Sequence, residues 1–366
     1  MTNSLFLLFL ISAIVYWFSG WFLIPRIKYC SARGREKYSG SVSIIIPARN
    51  EENRISPLLN SLKKENVFSR FEVILADDDS TDRTVELAEK AGCRIVSAGE
   101  KPDAAVGKSW ACAAGADAAT GEVLVFMDAD AVLMPGGIDS ILAEYGCGLL
   151  SVQPYHRFRR FYESFSAFFN LMSAAGVNSF SLHSRGNNIL GAFGPCMLCS
   201  RTDYEKTGGH RAIMKALVDD IALASLFRKK NLCIKNYAGK KTIEYRMYPE
   251  GIKSLWQGWS KNMAIASSAS SRLSRLYFGI WCAGIANIAL TAAFADSAAG
   301  MAAAAIVYLV YSVQLFINLR RLGSWNIMHA LIFPVYLLFF LAILSFSAFS
   351  TRVLGTASWK GRKIKL

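Results

Sequence analysis

The sequence predicts an α/β fold: a parallel sheet with helical crossovers, set between membrane-embedded segments. Three observations predict it. Apolar, β-rich runs of a few residues alternate with helical stretches between residues 41 and 127. Polar clusters directly follow three of those runs: "PARNEE", "DDDSTD" and "DAD". Long uncharged stretches lie at both ends of the chain, one before this region and three after it.

Leu5 to Ile24 is the first such stretch, twenty residues without a charge, enough to cross a bilayer as a helix. A cleaved signal peptide would want a basic start, a shorter apolar core and a small-residue cleavage site. "MTNS" carries no side-chain charge and the run ends in Pro25-Arg26, so residues 1–25 are expected to stay as an anchor. Residues 26–40 are a basic linker with Arg26, Lys28, Arg33, Arg35 and Lys37. Cationic flanks mark the cytoplasmic side of a membrane and attract anionic headgroups. The formal net charge is +14, yet no nucleic-acid module is recognisable. The cations gather beside apolar runs, as membrane flanks do, so no nucleic-acid partner is expected.

The central region, residues 41–248, alternates in type. "SVSIII" (41–46), "FEVILA" (71–76), "CRIVS" (93–97) and "EVLVFM" (122–127) read as strands. Glu52–Lys64, Asp82–Ala91 and Gly107–Ala119 read as the helices between them. In a sheet of this kind ligands bind at the carboxyl ends of the strands, near the topological switch point, and the polar clusters sit at those ends. No G-x-G-x-x-G and no P-loop is present, which argues against a dinucleotide dehydrogenase or an NTPase.

Beyond Leu149 the pattern changes. Arg157 to Phe180 reads as a helix with Phe158, Phe161, Phe165, Phe168 and Phe169 at helical spacing, either a core stripe or, with Arg157, Arg159 and Arg160 at its start, an interfacial face. Residues 249–275 are an amphipathic segment containing "KSLWQGWSKN". Residues 276–350 hold the apolar runs Tyr277–Ala295, Met301–Asn318 and Ile327–Ser350, and residues 351–366 form a basic tail. Three full crossings would put that tail opposite Arg320 and Arg321, against the positive-inside preference. Either the positive-inside preference fails here or one run does not cross; the last run, with Pro334 taken as near its centre, is expected to re-enter or lie in the interface. The eight cysteines form no disulfide framework. Cys196-Met-Leu-Cys199 has the spacing of half a zinc site without a matching second pair, so free thiols are expected.

Asp128-Ala129-Asp130, directly after an apolar strand, carries the chemistry. Carboxylates there are costly unless something cationic meets them. A hard divalent cation such as Mg2+ binds through one or two carboxylates plus substrate phosphates. Two aspartates in a surface turn are the bland alternative, but these lie in sequence behind "PARNEE" and "DDDS".

Taken together, these residues resemble the inverting GT-A glycosyltransferases of family two, which use nucleotide-diphosphate sugars; the resemblance covers about Val42 to Asn262. "IIIPARNEE" is similar to the family's opening strand and P-x-x-N-E turn, which implies donor contacts at Pro47, Asn50 and Glu51. "ADDDSTD" resembles its nucleotide site and implies that Asp78 reads the uracil. The D-x-D resemblance implies Asp128 near the ribose and Asp130 on a metal, Mg2+ or Mn2+. "GKSWACAAGA" resembles the G-K-x-x-A segment and makes Lys108 a donor contact. In "TGGHRAIMKALVDDIALA", Asp219-Asp220 stands where the family has Glu-Asp, and Asp220 takes the place of the catalytic base.

The processive members' Q-x-x-R-W is replaced by Gln257-Gly258-Trp259-Ser260-Lys261, without the arginine, which favours a single transfer over polymer synthesis. "RMYPEG", "KSLWQGWSKN", the apolar runs and the terminal "WKGRKI" resemble the bacterial carotenoid-acid glycosyltransferases of the diaponeurosporenoate type. That resemblance implies glucose passing from a UDP-sugar to a membrane lipid acceptor, with Phe161, Phe165, Trp256, Trp259 and Lys261 facing acceptor or bilayer. A cell-membrane enzyme with its N-terminus outside and its catalytic domain in the cytoplasm is expected from the five cations of residues 26–37. A hopanoid, a sterol-like alcohol or a diacylglycerol stays open as acceptor, and an inactive scaffold is the reading from another class. An alcohol must lose a proton as it attacks and needs a base; a carboxylate arrives ionised and does not.

Overall fold

The computed structural model describes residues 2–34, 36–102, 105–182, 184, 188–353, 356–359 and 362–365. Arg35 of the basic linker, with Lys360 and Gly361 of the tail, lies outside the described residues. The chain forms two compact units, Lys28–Arg157 with Arg185–Arg246, and Met1–Ile27 with Phe158–Ser184 and Met247–Leu366.

The first unit is built on a sheet. Strands β1 (Val42–Ala48), β2 (Glu72–Asp77), β3 (Arg94–Ser97) and β4 (Val123–Met127) are mutually parallel, as their apolar runs predict. Strands β6 (Leu149–Gln153), β8 (Cys196–Ser200) and β9 (Ile234–Ala238) complete seven, in the order β3-β2-β1-β4-β8-β6-β9. The sheet is mixed, not wholly parallel, because β8 runs antiparallel to both β4 and β6. A smaller sheet of β5 (Ala131–Leu133), β7 (Tyr155–His156) and β10 (Ile243–Tyr245) stands beside it.

Alternation assigns the side chains to two cores. Ile44, Ile46, Leu75, Val123, Val125 and Met127 pack on one face, and Ile45, Ile74, Ala76, Leu124 and Phe126 on the other. Cys196 and Cys199, three apart on β8, fall into different cores, so they cannot share an ion. Every cysteine described is a free thiol.

Helix α2 (Ile55–Lys64) buries Ile55, Leu58, Leu59 and Leu62 at helical spacing. The short α3 (Val67–Arg70) follows. Helix α4 (Thr84–Ala91) ends at Gly92, whose φ of 104° suits glycine. Both α2 and α4 start two or three residues later than the sequence predicts, because the polar residues ahead of them are spent on turn contacts. Helix α5 (Gly107–Ala118) buries a small-residue face of Ala111, Cys112, Ala113, Gly115 and Ala116. Helices α6 (Gly137–Glu144), α8 (Arg201–Thr207) and α9 (Asp219–Lys229) complete the unit.

Helices dominate the second unit. Helix α1 (Thr2–Gly20) lies along α11 (Arg272–Ala293) and α12 (Ala298–Leu322). Polar side chains there bond inward: Tyr311 donates to the Ala13 carbonyl at 2.8 Å, and Trp281 Nε1 to Gln314 Oε1 at 2.7 Å. The expected helix from Arg157 to Phe180 is shorter. A 3-10 turn, Phe161–Ser166, leads into α7 (Ala167–Gly176). Glu163 bends back to accept the Arg159 N–H at 2.9 Å, which fixes the turn ahead of the helix. The segment Phe158–Ser184, which the sequence reading placed within the central region, groups with this helical unit.

Helix α10 (Ile252–Ala269) follows α7 in this unit. The last apolar run divides into α13 (Ile327–Leu331) and α14 (Phe333–Val353). Pro334, expected near the centre of that run, sits instead in the first turn of α14, where its missing N–H costs nothing. Among the described residues four helices, α1, α11, α12 and α14, are long and apolar enough to cross a membrane. The tail pairs β11 (Thr356–Trp359) with β12 (Arg362–Lys365).

Candidate active site

Strands β2, β1 and β4 are adjacent and parallel, so their carboxyl ends open on one edge. The order reverses between β1 and β4, and a ligand crevice belongs at such a point. Beyond Ile45, β1 has no registered partner on its β4 side, which is why Pro47 is tolerated inside it. The chain then turns through Asn50, at a left-handed φ of 52°.

Asn50 Oδ1 accepts the Thr81 N–H at 2.9 Å. The Asn50 and Glu51 N–H groups donate to Ser80 Oγ at 3.1 Å and Thr84 Oγ1 at 2.7 Å. The turn after β1 is thereby stitched to the turn after β2, and Asn50 serves as a structural clasp. Asp78, 8% exposed, is held between the turns, its N–H donating to the Ala48 carbonyl at 2.9 Å. Its carboxylate pairs with Arg49 at 3.4 Å. Gly107 opens α5 directly against it: a Cβ there would collide with Asp78 Oδ2.

Lys108, the next residue, reaches two carboxylates. Its Nζ lies 2.8 Å from Asp128 Oδ1 and 3.4 Å from Asp219 Oδ2. Asp128 is fixed by its N–H, which donates to the Pro195 carbonyl at 3.0 Å, and its own carbonyl accepts the Ala131 N–H at 3.0 Å. That turn carries Asp130. Asp219 and Asp220 form the first turn of α9, where the helix dipole favours negative charge. Asp220 Oδ2 accepts the Gly194 N–H at 3.0 Å and its Oδ1 the Ile221 N–H at 2.7 Å. Gly194 separates Asp220 from Lys108: a Cβ there would meet the two at 3.3 and 3.4 Å.

Four carboxylates and one lysine thus share a cleft, and the charges are not equivalent. Burial and the charge of Asp128 push the Asp130 carboxyl up to about 7. Burial and the charge of Asp219 push Asp220 up to about 7 as well, against Lys108 and its two N–H donors. Burial also raises Asp128, with Lys108 opposing. Asp219 goes the other way: burial acts upward, but Lys108, His210 and its own backbone N–H together hold the group below the usual carboxylate range. Lys108 is held well above its ordinary value by Asp128 and Asp219, despite burial.

Several contributors were not singled out from sequence. His210 is fully buried, tilted against Phe126 at 4.6 Å, with Nδ1 3.0 Å from the Tyr204 hydroxyl. Burial pulls it down to about 4, so it is neutral near pH 7. Gly194, Gly107 and Arg49 were missed too, since their roles come from a backbone N–H, an absent Cβ and a partner in the next turn. Phe161, Phe165, Trp256, Trp259 and Lys261 all belong to the helical unit. Phe161 is 59% exposed, whereas Trp259 is 4% exposed and stacks on Phe169 at 4.7 Å. Phe165 packs on Phe339 at 4.8 Å, and Trp256 on Phe339 at 5.7 Å.

Comparison with known proteins agrees with this geometry. The model of the family described as "Glycosyl transferase family 2" matches residues 43–208. The 4,4'-diaponeurosporenoate glycosyltransferase of Staphylococcus aureus strain MRSA252 is 34% identical over 336 residues, 89% of this chain and 88% of its own. The enzyme of the same name from strain USA300 matches to the same extent. A mannosyltransferase of Pyrobaculum calidifontis, solved with GDP-Man and Mn2+, superposes with a TM-score of 0.51 at 18% identity, covering 94% of this chain and 97% of its own. The sheet and that likeness give the fold as GT-A, and the family model with the 34% identical relatives makes the chain a glycosyltransferase. The chain belongs to glycosyl transferase family 2.

Proposed function

We propose that the protein transfers a single glucose from UDP-glucose, with inversion, to the carboxylate of a membrane carotenoid acid. The observation that carries this reading is the identity of 34% over 89% of the chain with 4,4'-diaponeurosporenoate glycosyltransferase. A match of that span runs well past the sheet-bearing unit into the helical one. Residues 1–25 and 276–350 are read as the membrane segments of a cell-membrane enzyme, residues 26–40, 249–275 and 351–366 as its basic or amphipathic flanks, and residues 41–248 as a catalytic domain on the cytoplasmic side.

Asp78 reads the uracil, Asp128 meets the ribose, and Pro47, Asn50 and Glu51 shape the wall beside them. Asp130 fits a divalent cation, Mg2+ or Mn2+. Its carboxyl, pushed up to about 7 by burial and Asp128 against the nearby charges of Arg54 and Lys108, is a buried acid whose charged form a cation would stabilise. Among the described residues no cluster of three or more His, Cys, Asp or Glu could hold an ion alone. One carboxylate completed by substrate phosphates is the donor set such an ion accepts. When bound, it would offset the charge growing on the departing diphosphate.

The acceptor carboxylate attacks the anomeric carbon from the face opposite UDP. A C–O bond forms as the bond to the diphosphate breaks, and no proton must leave the acceptor. Asp220 faces the acceptor, partly neutral near pH 7, so it repels an incoming carboxylate less than a fully charged aspartate would. Phe161, Phe165, Trp256, Trp259 and Lys261 are read as the lipid-facing or acceptor-side set.

The test is to incubate membranes containing the protein with labelled UDP-glucose, UDP-N-acetylglucosamine and GDP-mannose, then to extract the lipids. Label entering a pigmented lipid from UDP-glucose alone is the expected result. Label entering an uncoloured lipid, or entering from GDP-mannose, would replace this reading.

A further inference from the structure

The two adjacent aspartates of α9 are held differently. Asp220 is gripped by backbone N–H groups alone, from Gly194 at 3.0 Å and Ile221 at 2.7 Å. Asp219 instead lies 3.4 Å from the ammonium of Lys108, which at 2.8 Å also holds Asp128. Its side chain is 14% exposed, and Oδ2, the oxygen nearest Lys108, accepts no hydrogen bond. It is a largely buried, ion-paired anion, with the fully buried His210 on the turn before the helix.

We propose that Asp219 is a positioning residue that never meets the substrate: tied to Lys108, it stays charged beside Asp220, and the Lys108–Asp219 pair governs the protonation of Asp220. The geometry supplies the reason. Two carboxylates at consecutive positions on one helical turn cannot both ionise freely, and the one with a cation at ion-pair distance keeps its charge. The charged and titratable groups round Asp220 are Asp219 on its own helix and Lys108 on α5. One step beyond, through those two, are Asp128 after β4, His210 and the Cys112 thiol of α5, which burial holds neutral. His210 is neutral near pH 7, so Lys108 alone supplies the positive charge. The burial that lifts Asp220 and the ion pair that lowers Asp219 agree with this division. Lys108 then acts as a charge relay between the donor-side Asp128 and the acceptor-side pair, not as a free cation awaiting diphosphate.

The inference rests on Asp220 being the acceptor-side acid proposed above, and the experiment separates the two. Transfer is measured from pH 5 to 9 for the wild type, Asp220→Asn, Asp219→Asn, Asp219→Glu and Lys108→Met. In parallel, the pH dependence of carbodiimide modification at residue 220 is read by mass spectrometry, which needs no turnover. Asp220→Asn should erase one limb of the profile. Asp219→Asn removes a neighbouring negative charge, so that limb and the labelling midpoint should move to lower pH, by on the order of one unit. Asp219→Glu should restore them, and Lys108→Met should move them to higher pH. A limb lost in Asp220→Asn but unmoved by Asp219→Asn and Lys108→Met would overturn the role given to Asp219. A limb that survives Asp220→Asn would overturn the reading of Asp220 itself.

Discussion

At the scale of single residues, the site works by close approach and by buried charge. Gly107 shows the first: α5 starts so near Asp78 that any Cβ displaces the carboxylate. Gly107→Ala is expected to weaken UDP binding about tenfold, the order of one lost hydrogen bond to a charged group, with the fold intact. Titration calorimetry of UDP against the detergent-solubilised protein measures this; unchanged affinity would remove Asp78 from the nucleotide site. Asp130 shows the second. Asp130→Ala should abolish transfer while thermal unfolding stays within a few degrees of wild type, because burial and Asp128 disfavour the charged form of this acid, which therefore adds little stability. Treatment with EDTA should silence the wild type, and Mn2+ should restore it. Full activity after EDTA would end the assignment. These carboxylates were legible as strings, since D-D-x-S, D-x-D and Asp219-Asp220 are each local. Gly194 was not, because its N–H meets a partner 26 positions away in sequence, and no side chain advertises the contact. His210 could be read in "TGGHR" but not weighed, as burial and a neutral ring follow only from Phe126 and Tyr204 packing round it.

At the scale of elements, the first four strands declare themselves through continuous apolar runs, and their order follows from right-handed crossovers. The second half of the sheet is less legible. Strand β8 reads "CMLCS" and β9 "IKNYA", runs whose strand character comes from being paired on both sides or docked at an edge. Its antiparallel direction depends on how the chain returns from the helical unit, which no local pattern encodes. The 3-10 turn ahead of α7 hides in a phenylalanine stripe that keeps helical spacing. Helix α5 gives this scale its prediction. A Cβ on Gly115 would lie 2.5 Å from Ile45 Cγ2 and 3.1 Å from Ala76 Cβ. Gly115→Ala gains about 1 kcal/mol of helix propensity and forfeits roughly 1–3 kcal/mol to overpacking. The expected sum is a lower unfolding temperature in detergent; a rise would mean that α5 can lift off the sheet freely.

At the scale of the whole molecule, four helices among the described residues are long and apolar enough to span a bilayer. With Pro334 at the start of α14, that helix runs unbroken from Phe333 to Val353, and a full crossing and a re-entry would place the basic tail on opposite sides. Four crossings leave both ends of the chain on one side. Asn3→Cys and Ile364→Cys, each in a background without other accessible thiols, should react alike with a membrane-impermeant maleimide on intact cells; opposite labelling would show that one helix turns back. The central claim is chemical, that the acceptor's nucleophile is a carboxylate, and the bond in the product tests it most directly. The purified protein is given UDP-[14C]glucose with a carotenoid acid, and the labelled lipid is then exposed to mild alkali. A glucosyl ester hydrolyses and releases the label into the aqueous phase, which is the predicted result; label that stays with the lipid would mark an ordinary glycoside and contradict the account.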